Sequence, residues 1–250
     1  YSSRRQRQMC IRDRFYNNLF FITSFPEKAI KYGLSSSNII KLDTSIGGRF
    51  SIWSSSNLVN AIIFGKDFFT NFLNGGKSID ELIVKNFEKS LPYILALKSF
   101  YFRKYHSIYN HIVIPYSDQL SLLPSYLQQL VMESNGKSVN SFNENISNSP
   151  CSFIFGEVGT DAQHSFFQAL HQSTLSFTAD LICFSHNLNS EFCVFDDYDK
   201  KNSRDLQNFA ISQYLAFKNG SDKNIESVHQ RVNGNKPVDL FMFNKLNEYT

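Results

Sequence analysis

The 250-residue chain is poor in cysteine, and the four it has form no pattern. Cys10, Cys151, Cys183 and Cys193 include no C-x-x-C pair and no Cys/His group at zinc spacing, which argues against a disulfide framework and a structural zinc site. Cys183, His186 and Cys193 lie near one another, but they read as buried thiols on a strand and its exit loop. An unpatterned set of thiols suits a reducing cytoplasm. No apolar run approaches the roughly 18–20 residues that a spanning helix needs, so no membrane partner is expected. There is no Walker loop, no G-x-G-x-x-G and no repeat of solenoid period. Hydrophobic residues make up 42% and charged residues 19%. That balance excludes a disordered chain or a simple coiled coil and leaves a globular α/β protein able to bury its own core.

Net charge is also scarce, at +3 from 25 basic and 22 acidic side chains. Its location matters more than its size. Residues 1–14 carry Arg4, Arg5, Arg7, Arg12 and Arg14 against Asp13, a net of +4. The other 236 residues hold 20 basic and 21 acidic groups, a net of −1. A basic arm for nucleic acid and a signal-peptide n-region are two readings of this tail. The apolar run that follows, LFFITSF, is short and lacks a small-residue cleavage pattern. The string RQRQMCIRDR resembles translated sequencing-adaptor sequence, so residues 1–14 are expected to be a non-native tail. The body then needs no nucleic-acid partner.

From Phe15 onward, short apolar runs alternate with amphipathic ones. Strands are expected at 19–25, 38–42, 111–115, 152–155, 179–184 and 238–243. Helices are expected from Pro26 to Gly33, and over 56–64, 66–73, 79–87, 92–105, 124–133, 160–171 and 200–218. Residues 138–150 are rich in Ser and Asn and read as a surface loop. This alternation predicts a doubly wound, mostly parallel sheet with helices on both faces.

Three segments are too polar and glycine-rich for the places they occupy. DTSIGGRFSIWSSS (43–56) follows a strand and sets Gly47 and Gly48 before a lone arginine. Ligands in open α/β sheets dock beyond strand C-termini, where Gly48 allows close approach and Arg49 could hold an anion or make a structural salt bridge. PYSDQLSLLPSYLQQLVMESNGK (115–137) puts Gln129 and Glu133 four apart, on one helix face near its C-terminus. A carboxylate set against the helix dipole there gains proton affinity, which suits a general base, although an ordinary solvated Glu fits too. FGEVGTDAQHSFFQALHQST (155–174) reads as strand, glycine turn and helix, with a Thr160/Gln163 capping box and Asp161 in the first turn. His164 falls in the first helical turn near the strand end, whereas His171 reads as a core or surface residue.

Together the blocks IGGRFSIWSS, MESNGK and GEVGT-x-x-QHSFFQ-x-x-HQ resemble the glucose-6-phosphate isomerase (phosphoglucose isomerase) family over about residues 15–250. FITSFPEKAIKYG and NGNKP are similar to it as well. Asp161 departs from the Asn usual in the family, and SSSN follows the tryptophan where a small residue and Gly are common.

The resemblance implies a sugar-isomerase (SIS) fold. Residues 15–45 would end a first SIS domain, and 46–250 would form a second one, truncated at its C-terminus. It implies interconversion of glucose 6-phosphate and fructose 6-phosphate through a cis-enediolate, in glycolysis and gluconeogenesis. Glu133 would move the proton, Arg49 would stabilise the enediolate and His164 would open the ring. Gln129 and Gly48 would contact the substrate. A cytoplasmic homodimer with a shared site follows, without metal or organic cofactor. The family's phosphate loop is expected upstream of Phe15, and its DQWGVE block and lysine beyond Thr250, so these 250 residues alone are expected to be inactive. A non-catalytic sugar-phosphate-binding SIS module is the alternative.

Overall fold

The computed structural model describes residues 18–186, 196–221 and 227–250. The tail 1–14 and Cys193 lie outside them. The chain divides into two units, residues 1–74 and 75–250.

In the first unit, β1 (Phe21–Thr23) and β2 (Ile39–Lys41) pair in parallel, with Phe21 opposite Ile39. The connection between them is α1 (Pro26–Lys31). Proline's fixed φ suits the first turn of a helix, and Gly33 at φ +90° turns the chain out of it. Ala29 and Leu34 bury beneath. A 3₁₀ stretch, Gly48–Trp53, leads to α2 (Leu58–Phe64). Trp53 stacks on Phe72 with ring centroids 4.6 Å apart.

Phe72 belongs to α3 (Lys66–Lys85), a single helix of 20 residues where two helices were expected at 66–73 and 79–87. The intervening Gly75–Gly76 reads as a breaker, since a helical glycine costs about 1 kcal/mol against alanine. Gly75 is nevertheless helical for a packing reason: a Cβ there would lie 2.2 Å from the backbone oxygen of Tyr249.

The second unit holds β3 (Asn110–Pro115), β4 (Phe153–Gly156), β5 (Thr178–His186) and β6 (Val238–Lys245). They form one sheet in the order β4-β3-β5-β6, with every pairing parallel. HIVIP in β3 is β-branched and buried, as the inner strand of a two-sided sheet requires. One face presents Ile112, Ile114, Ala179, Leu181 and Cys183. The helices α6 (Gly159–Gln163), α7 (Phe167–Gln172) and α8 (Asp196–Asn219) cover it. Phe167, Phe177 and Phe217 fill the space between, each burial stabilising by roughly 1.5–3 kcal/mol.

The other face presents His111, Val113, Ile154, Asp180 and Asp239. It lies under α4 (Leu91–His106) and α5 (Leu123–Leu127). Pro92 sits in the first turn of α4, and Arg103, Lys104 and His106 complement the dipole in its last turn. This is the expected doubly wound α/β arrangement.

Candidate active site

The C-terminal ends of β3 and β4 carry two of the three segments singled out in the sequence. Beyond Pro115 the sheet ladder runs on to Tyr116, whose N–H donates to the carbonyl of Ile182 at 2.7 Å. The chain then passes through α5, with the buried Pro124 in its first turn, into a π-helical segment, Gln128–Glu133. An uninterrupted α-helix was expected over 124–133. Such widened turns are rare and occur often at functional sites.

Two side chains hold this segment to the outer edge of β4. Gln128 Nε2 donates to the carbonyl of Ile154 at 3.0 Å, and the Ile154 N–H donates to Met132 Sδ at 3.4 Å. Residues 128 and 132 thus face the sheet. Their neighbours Gln129 and Glu133 are exposed. Gly136 closes the segment by donating to the Met132 carbonyl at 2.8 Å, and a Cβ at 136 would stand 2.5 Å from that same oxygen.

On the β4 side, the glycines of G-E-V-G are steric requirements. A Cβ on Gly156 would lie 1.8 Å from the carbonyl oxygen of Val113, and one on Gly159 would lie 2.5 Å from the Tyr116 ring. The Tyr116 hydroxyl is buried with no hydrogen-bond partner. Burial, with the Cys183 thiol alongside, raises its pKa well above the ordinary phenol value.

The helix α6 begins at Gly159, one residue earlier than expected, so Thr160 lies inside it and the Thr160/Gln163 capping box does not form. Asp161 remains in its first turn. The helix expected to run to 171 breaks after Gln163. His164 therefore ends a five-residue helix, where it was expected in the first turn of a long one. Its imidazole is exposed. Among the described residues, the side chains of Gln129, Glu133 and His164 make no hydrogen bond or ion pair, so all three are free to meet a ligand. His171 is engaged: its Nε2 meets Gln213 Oε1 at 2.8 Å, and its ring stacks on Phe217 at 4.5 Å. Of the core and surface alternatives the sequence left for it, the structure holds the first.

Gly48 and Arg49 belong to the first unit. Gly48 opens the 3₁₀ stretch at φ +48°, a left-handed conformation that favours glycine. Arg49 is half-buried, with its guanidinium over the Phe50 ring at 5.0 Å and its Nε buried without an acceptor. Among the described residues no carboxylate pairs with it, so the alternative of a structural salt bridge is not what the structure holds.

A model of the phosphoglucose isomerase family matches residues 6–249. The chain belongs to that family. The match begins at residue 6, inside the arginine-rich segment 1–14. The glucose-6-phosphate isomerase of Acinetobacter baumannii (strain SDF) is 32% identical over 249 residues, which cover 95% of this chain and 45% of that protein. The Plasmodium falciparum glucose-6-phosphate isomerase is 36% identical over 236 residues, covering 88% and 39%. The crystal structure of a glucose-6-phosphate isomerase from Chlamydia trachomatis superposes with a TM-score of 0.77 at 32% identity, covering 90% of this chain and 47% of the other. The chain spans about half the length of the curated relatives it matches.

This family membership fits the parallel α/β sheet, which is of the SIS type. Among the described residues no helix is long and apolar enough to cross a membrane. No group of three or more His, Cys, Asp or Glu is placed to hold a metal ion among them either.

Proposed function

We propose that this chain carries part of the active site of an isomerase interconverting glucose 6-phosphate and fructose 6-phosphate. The observation that carries this reading is the state of Gln129, Glu133 and His164. Three polar side chains in a phosphoglucose isomerase family member stand exposed and unengaged on the segments that follow two adjacent parallel strands. In open α/β sheets the segments that follow the strands are the ones that build ligand sites.

The chemistry follows from the groups. In the open-chain aldose, Glu133 takes the C2 proton, and the C2–H electrons form the C1=C2 bond of a cis-enediolate. The carboxyl group then returns a proton to C1, the C2 oxygen becomes the carbonyl, and its hydroxyl proton passes to O1. A positioned base contributes roughly 10²–10⁴-fold. Arg49 is assigned the stabilisation of the enediolate charge, the kind of electrostatic effect that dominates many enzymes. His164 opens the ring by proton transfer, and Gln129 and Gly48 contact the sugar phosphate. The working enzyme in this reading is a cytoplasmic homodimer whose subunits share the site, in glycolysis and gluconeogenesis.

A coupled assay on the enzyme carrying this chain tests the proposal. Glucose 6-phosphate deuterated at C2 should lose deuterium to solvent during turnover. Full retention of the label together with undiminished turnover in Glu133→Gln would point to hydride transfer and remove Glu133 as the base.

A further inference from the structure

A cavity of roughly 210 Å³ lies against the sheet face under α4. It plays no part in the chemistry above. Leu95, Leu127, Val131 and Ile154 line its apolar side. The opposite side is ionic. Asp180 and Asp239 are register partners on β5 and β6, and like charges directly opposite on neighbouring strands repel. Lys98 Nζ donates to Asp239 Oδ2. His111 Nε2 meets Asp180 Oδ2 at 3.1 Å, and its Nδ1 meets the Thr178 hydroxyl at 2.8 Å.

That arrangement leaves acceptor capacity over. Asp180 Oδ1 is buried with no donor. Arg103, the other cation on this side of α4, donates to the Ser99 and Ser152 hydroxyls and engages neither carboxylate. Among the described residues Lys98, bonded to Asp239, is therefore the one lysine or arginine that engages either carboxylate. Among the described residues no group of three or more His, Cys, Asp or Glu is placed to hold a metal ion, and His111 spends both ring nitrogens on Asp180 and Thr178.

We propose that this cavity binds a small organic cation, an ammonium group on a short apolar body. The ammonium donates to Asp180, whose carboxylate turns about a soft terminal torsion to offer either oxygen. The apolar body lies on Leu95, Leu127, Val131 and Ile154. Leu127 adjoins the π-helical segment and Val131 lies within it, so occupancy is felt on the segment bearing Gln129 and Glu133. The proposal stands independently of the isomerase reading.

The test uses the 250-residue chain, with n-butylammonium as probe and n-butanol as its neutral counterpart, followed by amide chemical shifts. Butylammonium should give saturable shifts over residues 127–133 and 178–182. Butanol should bind about tenfold more weakly, since its hydroxyl offers a neutral donor where the ammonium makes an ion-paired hydrogen bond. Asp180→Asn should erase that preference, and Val131→Phe should abolish binding by filling the space. Lys98→Met releases Asp239 and should tighten butylammonium. Equal binding of the two probes, shifts confined to other residues, or binding indifferent to Val131→Phe would overturn the proposal. If Asp180→Asn does not fold, the probe comparison on the unaltered chain and the Lys98→Met result decide it.

Discussion

Gly159 meets the aromatic ring of Tyr116 so closely that a Cβ at 159 would lie 2.5 Å from the ring's Cε1 and Cζ. The exit of β3 and the start of α6 are therefore locked together, and His164 is carried on that lock. Gly159→Ala should cost about 1–3 kcal/mol, as overpacking of a tight contact does. Chemical denaturation would show it as a lower urea midpoint. Tyr116→Phe acts in the opposite direction: it removes a buried hydroxyl that has no partner and should raise stability by about 1 kcal/mol. A drop in stability on that change would mean that the hydroxyl is satisfied in solution.

Glu133→Gln keeps the shape of an exposed side chain and removes its basicity. Turnover in the coupled assay should fall by roughly 10²–10⁴-fold with an unchanged circular dichroism spectrum. Substantial retained activity would move the base elsewhere.

Arg49→Ala should lower kcat far more than it raises KM if Arg49 has the proposed role, because a cation that stabilises the enediolate acts on charge that develops during the reaction. A rise in KM alone would reassign Arg49 to substrate binding. Loss of its packing over Phe50 is a separate effect, which Arg49→Lys would partly retain.

His171 gives the fold an acid-side weakness. Burial holds its pKa below the ordinary 6.5, with the Gln213 hydrogen bond opposing in part. The unfolded chain therefore binds this proton first. The contribution of His171 is complete above about pH 6.5 and is lost as pH falls from there toward its lower folded value. Urea midpoints at pH 7.5, 6.5 and 5.5 should fall in that order, and His171→Gln should flatten the slope. An equal slope in the variant would assign the acid sensitivity to other groups.

Strand positions were the most legible part of the sequence. HIVIP and the apolar runs near 153, 180 and 240 reach the sheet because β-branched and aromatic runs between turn residues have little else to form. The helices misled where backbone contacts decide. Gly75 keeps a helix continuous because Tyr249 approaches it, and no local pattern records that partner. The π-helical turn at Gln128–Glu133 depends on bonds from Gln128 and Met132 to a strand more than twenty residues later. No Gly or Pro marks the break after Gln163 either. Among the candidate residues, Gln129, Glu133 and His164 were proposed from their blocks, and their exposure is what the structure adds. The supporting roles of Tyr116, Gly156 and Gly159 needed the contacts to be seen.

The two bonds to Ile154 have a bearing on self-association. β4 is an outer strand of its sheet, and a bare strand edge invites another chain to pair with it. Gln128 and Met132 occupy the outward N–H and C=O of Ile154 and so act as a guard against that pairing. The same six-residue turn therefore presents Glu133 to solvent and keeps the sheet from growing. Changes that loosen this turn, oxidation of Met132 among them, would bare that edge and make the protein adhesive.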